Sequence, residues 1–214
     1  MLDVDGTLVD SNFQHALTWH RAFARHGLDV PAWRTHRAIG MGGDQLVPAL
    51  AGEEWAREHG EAASDTEAAL YHELIANVAP LPGARAFLEL LKLRGHQVVL
   101  GSSASAEDLD VFLDLLGARE LVDAWTVADD VEQTKPKPDI VHAALEKLGK
   151  PKDGVMIGDS VYDIQAAHAA GLPAIAVLTG GFGAQELRDV GAEWIYDDLP
   201  ELIAKLDETP LGEA

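Results

Sequence analysis

Cysteine is absent from the 214 residues, which excludes disulfides, thiolate catalysis and sulfur-ligated zinc or iron. Basic side chains are scarce: 16 Lys plus Arg stand against 36 Asp plus Glu, a formal charge of -20. That average field repels nucleic-acid backbones and anionic membranes, so neither is an expected partner. No apolar run approaches the roughly 18 to 20 residues needed to span a bilayer, and no basic, apolar, small-residue secretion pattern opens the chain. The expectation is a soluble, cytoplasmic protein. Lysine is missing altogether from residues 1 to 91, which removes the amine that Schiff-base chemistry in this part of the chain requires. Internal repeats and low-complexity tracts are lacking too.

What remains is an ordinary globular mixture, 47% apolar and 24% charged, in a chain long enough to bury a substantial core. From residue 80 onward, short apolar runs alternate with helix-like stretches. Strands are expected at 96–102, 123–129, 154–160, 174–180 and 193–198. Between them GARAFLELLKLRG, AEDLDVFLDLLG, DIVHAALEKLG and DIQAAHAAG have amphipathic spacing closed by glycine. This alternation predicts an α/β fold with a mostly parallel, Rossmann-like sheet covered on both faces. Residues 12–79 show helical spacing interrupted by the loop IGMGGD and no strand pattern, so they read as a helical cap inserted into a core formed by 1–11 and 80–214.

Four clusters carry candidate chemistry, each at the end of an expected strand. In MLDVDGTLVD, Asp3 and Asp5 repeat with strand period, and Gly6 ends the strand so that the two carboxylates diverge around a turn. Asp3 can attack phosphorus, Asp5 can protonate the leaving oxygen and then activate water, and Thr7 with the loop amides can hold phosphoryl oxygens. In GSS, Ser102 follows an apolar run and can donate to a phosphoryl oxygen, with Ser103 beside it; Ser103 or Ser105 can instead cap the next helix. In TKPKPD, the prolines restrain Lys135, whose ammonium offsets repulsion between an attacking carboxylate and a phosphate, while Lys137 faces solvent. In GDSVYD, Asp159 is the candidate metal ligand together with Asp3 and the backbone carbonyl of Asp5, and Asp163 orients a metal-bound water or fixes Lys135. An all-oxygen donor set suits Mg²⁺.

DVDGT, the serine at 102, KPKPD and GDSVYD together resemble the four motifs of the haloacid dehalogenase-like hydrolases, in the capped phosphatase branch that includes phosphoglycolate phosphatase and β-phosphoglucomutase-like proteins. The loop TGGFG at 179–183 is similar to that of the phosphoglycolate phosphatases. The resemblance implies a Rossmann-like core, Mg²⁺, an aspartyl-phosphate intermediate and substrate selection by the cap. It assigns the nucleophile to Asp3, acid/base work to Asp5, phosphate binding to Ser102, charge stabilisation to Lys135 and metal ligation to Asp159, supported by Asp163. The chain departs from the family in having only Met1 and Leu2 ahead of the nucleophile, and a central strand that short is expected to forfeit ladder bonds and buried side chains.

In the cap, His15 matches a hinge histidine found in sugar phosphate mutases and many of their relatives, and Arg37, just before IGMGG, is a candidate for a substrate carboxylate or phosphate. Trp19, Trp33 and Trp55 read as packing residues. The leading function is hydrolysis of a small phosphorylated metabolite such as phosphoglycolate or a sugar phosphate. Its rivals are β-phosphoglucomutase-like isomerisation, for which the lysine-free cap lacks a usual residue, and a catalytically silent phosphate-binding module. A monomer is expected, since the cap closes the site within one chain.

Overall fold

The computed structural model describes residues 1–151 and 153–212. The chain begins in the middle of a parallel sheet. Leu2 bridges Leu100 on one side and Ile157 on the other. The backbone pairs on both edges, Leu2 N to Val99 O at 2.9 Å and Gly101 N to Leu2 O at 2.8 Å, Asp3 N to Ile157 O at 2.9 Å and Ile157 N to Met1 O at 3.0 Å. Short as it is, this segment pairs on both edges, and Leu2 and Val4 are buried in the main core.

Four helices follow: α1 (Asn12–Arg25), α2 (Ala32–His36), α3 (Gly43–Ala51) and α4 (Glu53–His72). Ala16, Trp19 and Phe23 recur on one face of α1 at helical spacing and pack with Val30, Ile39, Leu46 and Val47 into an apolar cluster separate from that of the sheet. The two chain segments that join these helices to the sheet bond to one another, Asp10 N to Ala79 O and Leu81 N to Leu8 O, both at 2.9 Å.

The rest alternates as expected: α5 (Ala84–Leu93), β1 (Val99–Gly101), α6 (Ala106–Leu116), β2 (Ala124–Thr126), α7 (Asp139–Lys147), β3 (Met156–Gly158), α8 (Val161–Ala169), β4 (Ala174–Val177), α9 (Ala184–Asp189), β5 (Trp194–Tyr196) and α10 (Leu199–Ala204). With Leu2 as the joint, the parallel sheet runs β2, β1, residues 1–3, β3, β4, β5. The order therefore reverses at the first segment, and in open α/β sheets the crevice outside the strand ends at such a reversal is where ligands bind. The strands are shorter than the expected runs, most of which lose residues at both ends, and the residues beyond the strand ends form the loops at that rim. Helix α8 begins at Val161, earlier than the glycine-closed stretch suggested, because Ser160 caps it and Asp163 completes a capping box.

The helical cap rests on this rim. Gly42 N donates to Thr134 Oγ1 at 3.0 Å, Thr134 N donates to Asp44 Oδ2 at 3.0 Å, and Tyr162 Oη donates to the carbonyl of Arg37 at 2.7 Å. Contact this close needs glycine: a Cβ on Gly40 or Gly42 would run into Ser160 or Thr134.

Candidate active site

The tight turn after Asp5 comes from Gly6, at φ 79°, whose amide donates to Val9 O at 2.8 Å. A side chain at Gly6 would strike Asn12 and Asp159, and one at Gly180 would strike Asp159 as well, so two glycines make the slot in which Asp159 sits. Thr7 Oγ1 donates to Asp159 Oδ1 at 2.8 Å and Asn12 Nδ2 to Asp159 Oδ2 at 2.9 Å. Thr179 Oγ1 closes the loop from the far side with a 2.5 Å bond to Gly6 O.

Beside this slot Lys135, completely buried, pairs with Asp3 and, at 2.8 Å, with Asp163. Burial alone lowers the lysine, but the two carboxylates outweigh it and hold the ammonium protonated above its usual range. The carboxylates are less well compensated. Burial, offset only in part by Lys135, raises Asp3 well above the ordinary carboxylate range, and Asp163, Asp159 and Asp5 add to the effect. Burial and the charge of Asp163 push Asp159 up to about 7 despite hydrogen bonds from Thr7 and Asn12.

One oxygen from each of Asp3, Asp159 and Asp163 lies within 4.8 Å of the others. Such crowding under one ammonium leaves surplus negative charge in a low-dielectric site, and a hard divalent cation fits both that charge and the oxygen donors. Asp163 is largely committed elsewhere, since Oδ1 faces Lys135 and Oδ2 accepts from Ser160 N at 3.1 Å and Ser160 Oγ at 2.6 Å. That leaves Asp3 and Asp159 as the better-placed side-chain ligands, with Asp163 fixing Lys135.

Asp5 faces the cap. It accepts from Ser11 Oγ at 2.5 Å and Ser102 Oγ at 3.3 Å, and its Oδ1 is 3.5 Å from His15 Nε2. Burial would raise Asp5, but His15 and Ser11 prevail and lower it, a direction that favours the ionised carboxylate. The other ring nitrogen of His15 contacts Glu67 Oε1 at 3.1 Å, and the ring stacks on Tyr71 at 3.7 Å. Burial works against the imidazolium, yet hydrogen bonds to Asp5 and Glu67 carry His15 to about 10. A cavity of about 200 Å³ opens between these groups and the cap, reaching Trp19, Ile39, Met41, Ser103 and Asp108.

A profile of haloacid dehalogenase-like hydrolases matches residues 1–171. The chain belongs to the haloacid dehalogenase-like hydrolases. Within the family it falls in the capped phosphatase branch related to phosphoglycolate phosphatase and β-phosphoglucomutase-like proteins. It is 29% identical over 217 residues to a phosphoglycolate phosphatase of Haemophilus influenzae, covering 95% of this chain and 96% of that one. It is also 29% identical over 192 residues to the fructose-1-phosphate phosphatase YqaB of Escherichia coli K12, covering 83% and 94%. A crystal structure of a hydrolase from Pseudomonas syringae superposes with a TM-score of 0.90 at 32% identity, covering 97% and 96%.

Against this family frame, the residues singled out from sequence divide by position. Asp3, Lys135, Asp159 and Asp163 converge; Asp5 and Ser102 adjoin them; Lys137 is exposed. Thr7 is engaged with Asp159, so its hydroxyl secures a carboxylate where a phosphoryl contact was expected. Ser103 Oγ is buried without a partner and its residue lines the cavity, while Ser105 caps α6 by accepting from Asp108 N. Arg37 does not enter the cavity. Its guanidinium pairs with Glu186 at 2.5 Å and lies 4.0 Å over the Phe182 ring, on the outer seam between cap and core. It therefore stands outside the cavity lining, where Glu186 and Phe182 hold it. Asn12, Ser11, Glu67 and Thr179 escaped the sequence reading. Ser11 and Asn12 directly follow the first motif, a position that could have flagged them; Glu67 gives no local signal.

Proposed function

We propose that this hydrolase is a Mg²⁺-dependent phosphatase of small phosphorylated metabolites, working through an aspartyl phosphate on Asp3. The observation that carries this reading is the convergence of Asp3, Lys135 and Asp159 beside the cavity under the cap. Mg²⁺, held by Asp3, Asp159 and the Asp5 carbonyl, would supply charge neutralisation for a phosphoryl group approaching carboxylates. Lys135 keeps Asp3 oriented and offsets its charge as an oxygen attacks phosphorus. Asp5 exchanges a proton first with the leaving oxygen and then with the water that hydrolyses the acyl phosphate, and His15, within reach of Asp5, fixes its orientation. Ser102 and the unpartnered Ser103 hydroxyl are donors for the phosphoryl oxygens.

Hydrolysis is favoured over isomerisation by the cavity lining, which among the described residues contains no Lys or Arg to hold the second phosphate of a bisphosphate intermediate. The similar proteins named above act by name on phosphoglycolate and on fructose 1-phosphate, so both esters are the first to assay. Phosphate release in the presence of Mg²⁺, lost in Asp3→Asn, is the decisive experiment; ligand binding that persists without turnover in the unaltered protein would favour a silent binding module.

A further inference from the structure

The cavity has two unlike ends. Toward the sheet it meets Asp3 and Asp5, the phosphate end in the reading above. Away from these lie apolar Trp19, Ile39 and Met41 and the carboxylate of Glu67, all from the cap, and the carboxylate of Asp108 at the start of α6.

Every cation near this second end is committed elsewhere. Lys135 is sealed between Asp3 and Asp163, and Arg37 is turned outward onto Glu186. His15 does line the cavity, but its two ring nitrogens face Glu67 at 3.1 Å and Asp5 at 3.5 Å. Even as an imidazolium it leaves the trio of Asp5, His15 and Glu67 with a net negative charge. A carboxylate carried by the leaving group would therefore enter an acidic, partly apolar enclosure with no counter-charge, an arrangement that discriminates by repulsion.

The same surface suits hydroxyl groups. Glu67 accepts from Thr18 at 2.6 Å and from His15 through one oxygen only, and Asp108 accepts from Ser105 at 2.7 Å through one oxygen only. The second oxygen of each has no hydrogen-bond donor among the described residues. Two such acceptors are what the hydroxyls of an uncharged polyol can satisfy. An ammonium is less well served, since the apolar walls of Trp19, Ile39 and Met41 cost it hydration that two single-oxygen acceptors do not replace. The volume, about 200 Å³, lies below the roughly 300 Å³ at which pockets for drug-sized ligands begin.

We propose that the cap end of this cleft selects phosphate esters of small, neutral, hydroxylated alcohols and rejects esters whose leaving group bears a carboxylate, with Glu67 and Asp108 setting the preference. The proposal rests on the phosphatase reading.

Three esters of equal length separate the cases: 2-hydroxyethyl phosphate, 2-phosphoglycolate and phosphoethanolamine carry a hydroxyl, a carboxylate and an ammonium on the same two-carbon frame. Glycerol 3-phosphate against 3-phosphoglycerate repeats the first contrast on three carbons. With saturating Mg²⁺, kcat/KM for the hydroxyl ester is expected to exceed that for its carboxylate counterpart by about tenfold or more in both pairs. Asp108→Asn and Glu67→Gln should each narrow the gap by roughly threefold, chiefly through a lower KM for the carboxylate esters. Asp108 lies outside the hydrogen bonds that hold His15, so its variant reads charge without disturbing that ring. Carboxylate esters turned over as well as hydroxyl esters would overturn the selectivity while leaving the phosphatase reading intact. An ammonium ester preferred tenfold over the hydroxyl ester would overturn the assignment to a neutral alcohol, and an unchanged gap in both variants would overturn the roles of Glu67 and Asp108. If none of these esters, nor p-nitrophenyl phosphate, releases phosphate with Mg²⁺, the phosphatase reading itself fails and takes the selectivity with it.

Discussion

The sheet side and the cap side of the cleft solve different problems. On the sheet side, Asp3, Lys135, Asp159 and Asp163 are buried and held in place by one another and by Thr7, Asn12 and Ser160. On the cap side the lining is apolar and acidic, and its polar groups retain free lone pairs. A buried cluster whose members hold one another in place fixes a reaction, whereas a surface with unmet hydrogen bonds can choose a partner.

The contrast can be broken most severely at its centre. Asp3→Asn should lower Mg²⁺-dependent phosphate release by about 10⁴-fold or more, measured as single-turnover release from any accepted ester. Next is Lys135→Met, which strands Asp3 and Asp163 as buried like charges; it should cost about 3–5 kcal/mol of stability in urea titration, besides its loss of activity. A smaller protein carrying only an exposed pair would not show such a drop, so the size of the loss measures how far this side is desolvated. Adding Mg²⁺ at a hundred times its Kd should stabilise the native state by about 2.7 kcal/mol, seen as a rise in Tm that EDTA reverses and that Asp159→Asn diminishes.

On the cap side the effects shrink. His15→Asn should reduce kcat by about 10- to 100-fold, with a lesser change in KM, because it loosens Asp5 and leaves the phosphate groups in place. Arg37→Ala should change kcat/KM least. It removes an exposed ion pair worth about 0.2–1 kcal/mol, and a drop of a hundredfold confined to carboxylate-bearing esters would show that Arg37 swings inward after all.

How much of this was legible in the sequence follows the same division. Asp3 with Asp5, Ser102, Lys135 and Asp159 each sit next to the glycine or proline that shapes their loop, so short motifs carried them, and the alternation of apolar runs with helical stretches carried the sheet. The pairing of His15 with Glu67 spans 52 residues and joins α1 to α4; nothing local in DTEAALY distinguishes that glutamate from a solvent-facing one. Asn12 meets Asp159 across 147 residues for the same reason. Arg37 misled because a charged residue before a glycine loop has two sides to turn to, and only the packing of Phe182 and Glu186 decides between them. The two-residue approach to Asp3 looked too short for a strand, yet pairing on both edges depends on neighbours that the first motif cannot announce.

The cap's anchor on Thr134 has a mechanical meaning. Thr134 immediately precedes Lys135; its hydroxyl accepts from Gly42 in the loop after α2, and its amide donates to Asp44 in the first turn of α3. Any movement of the cap helices away from the core would strip those bonds from the residue next to Lys135, so the backbone that carries the ammonium is fastened from the cap as well as from the sheet.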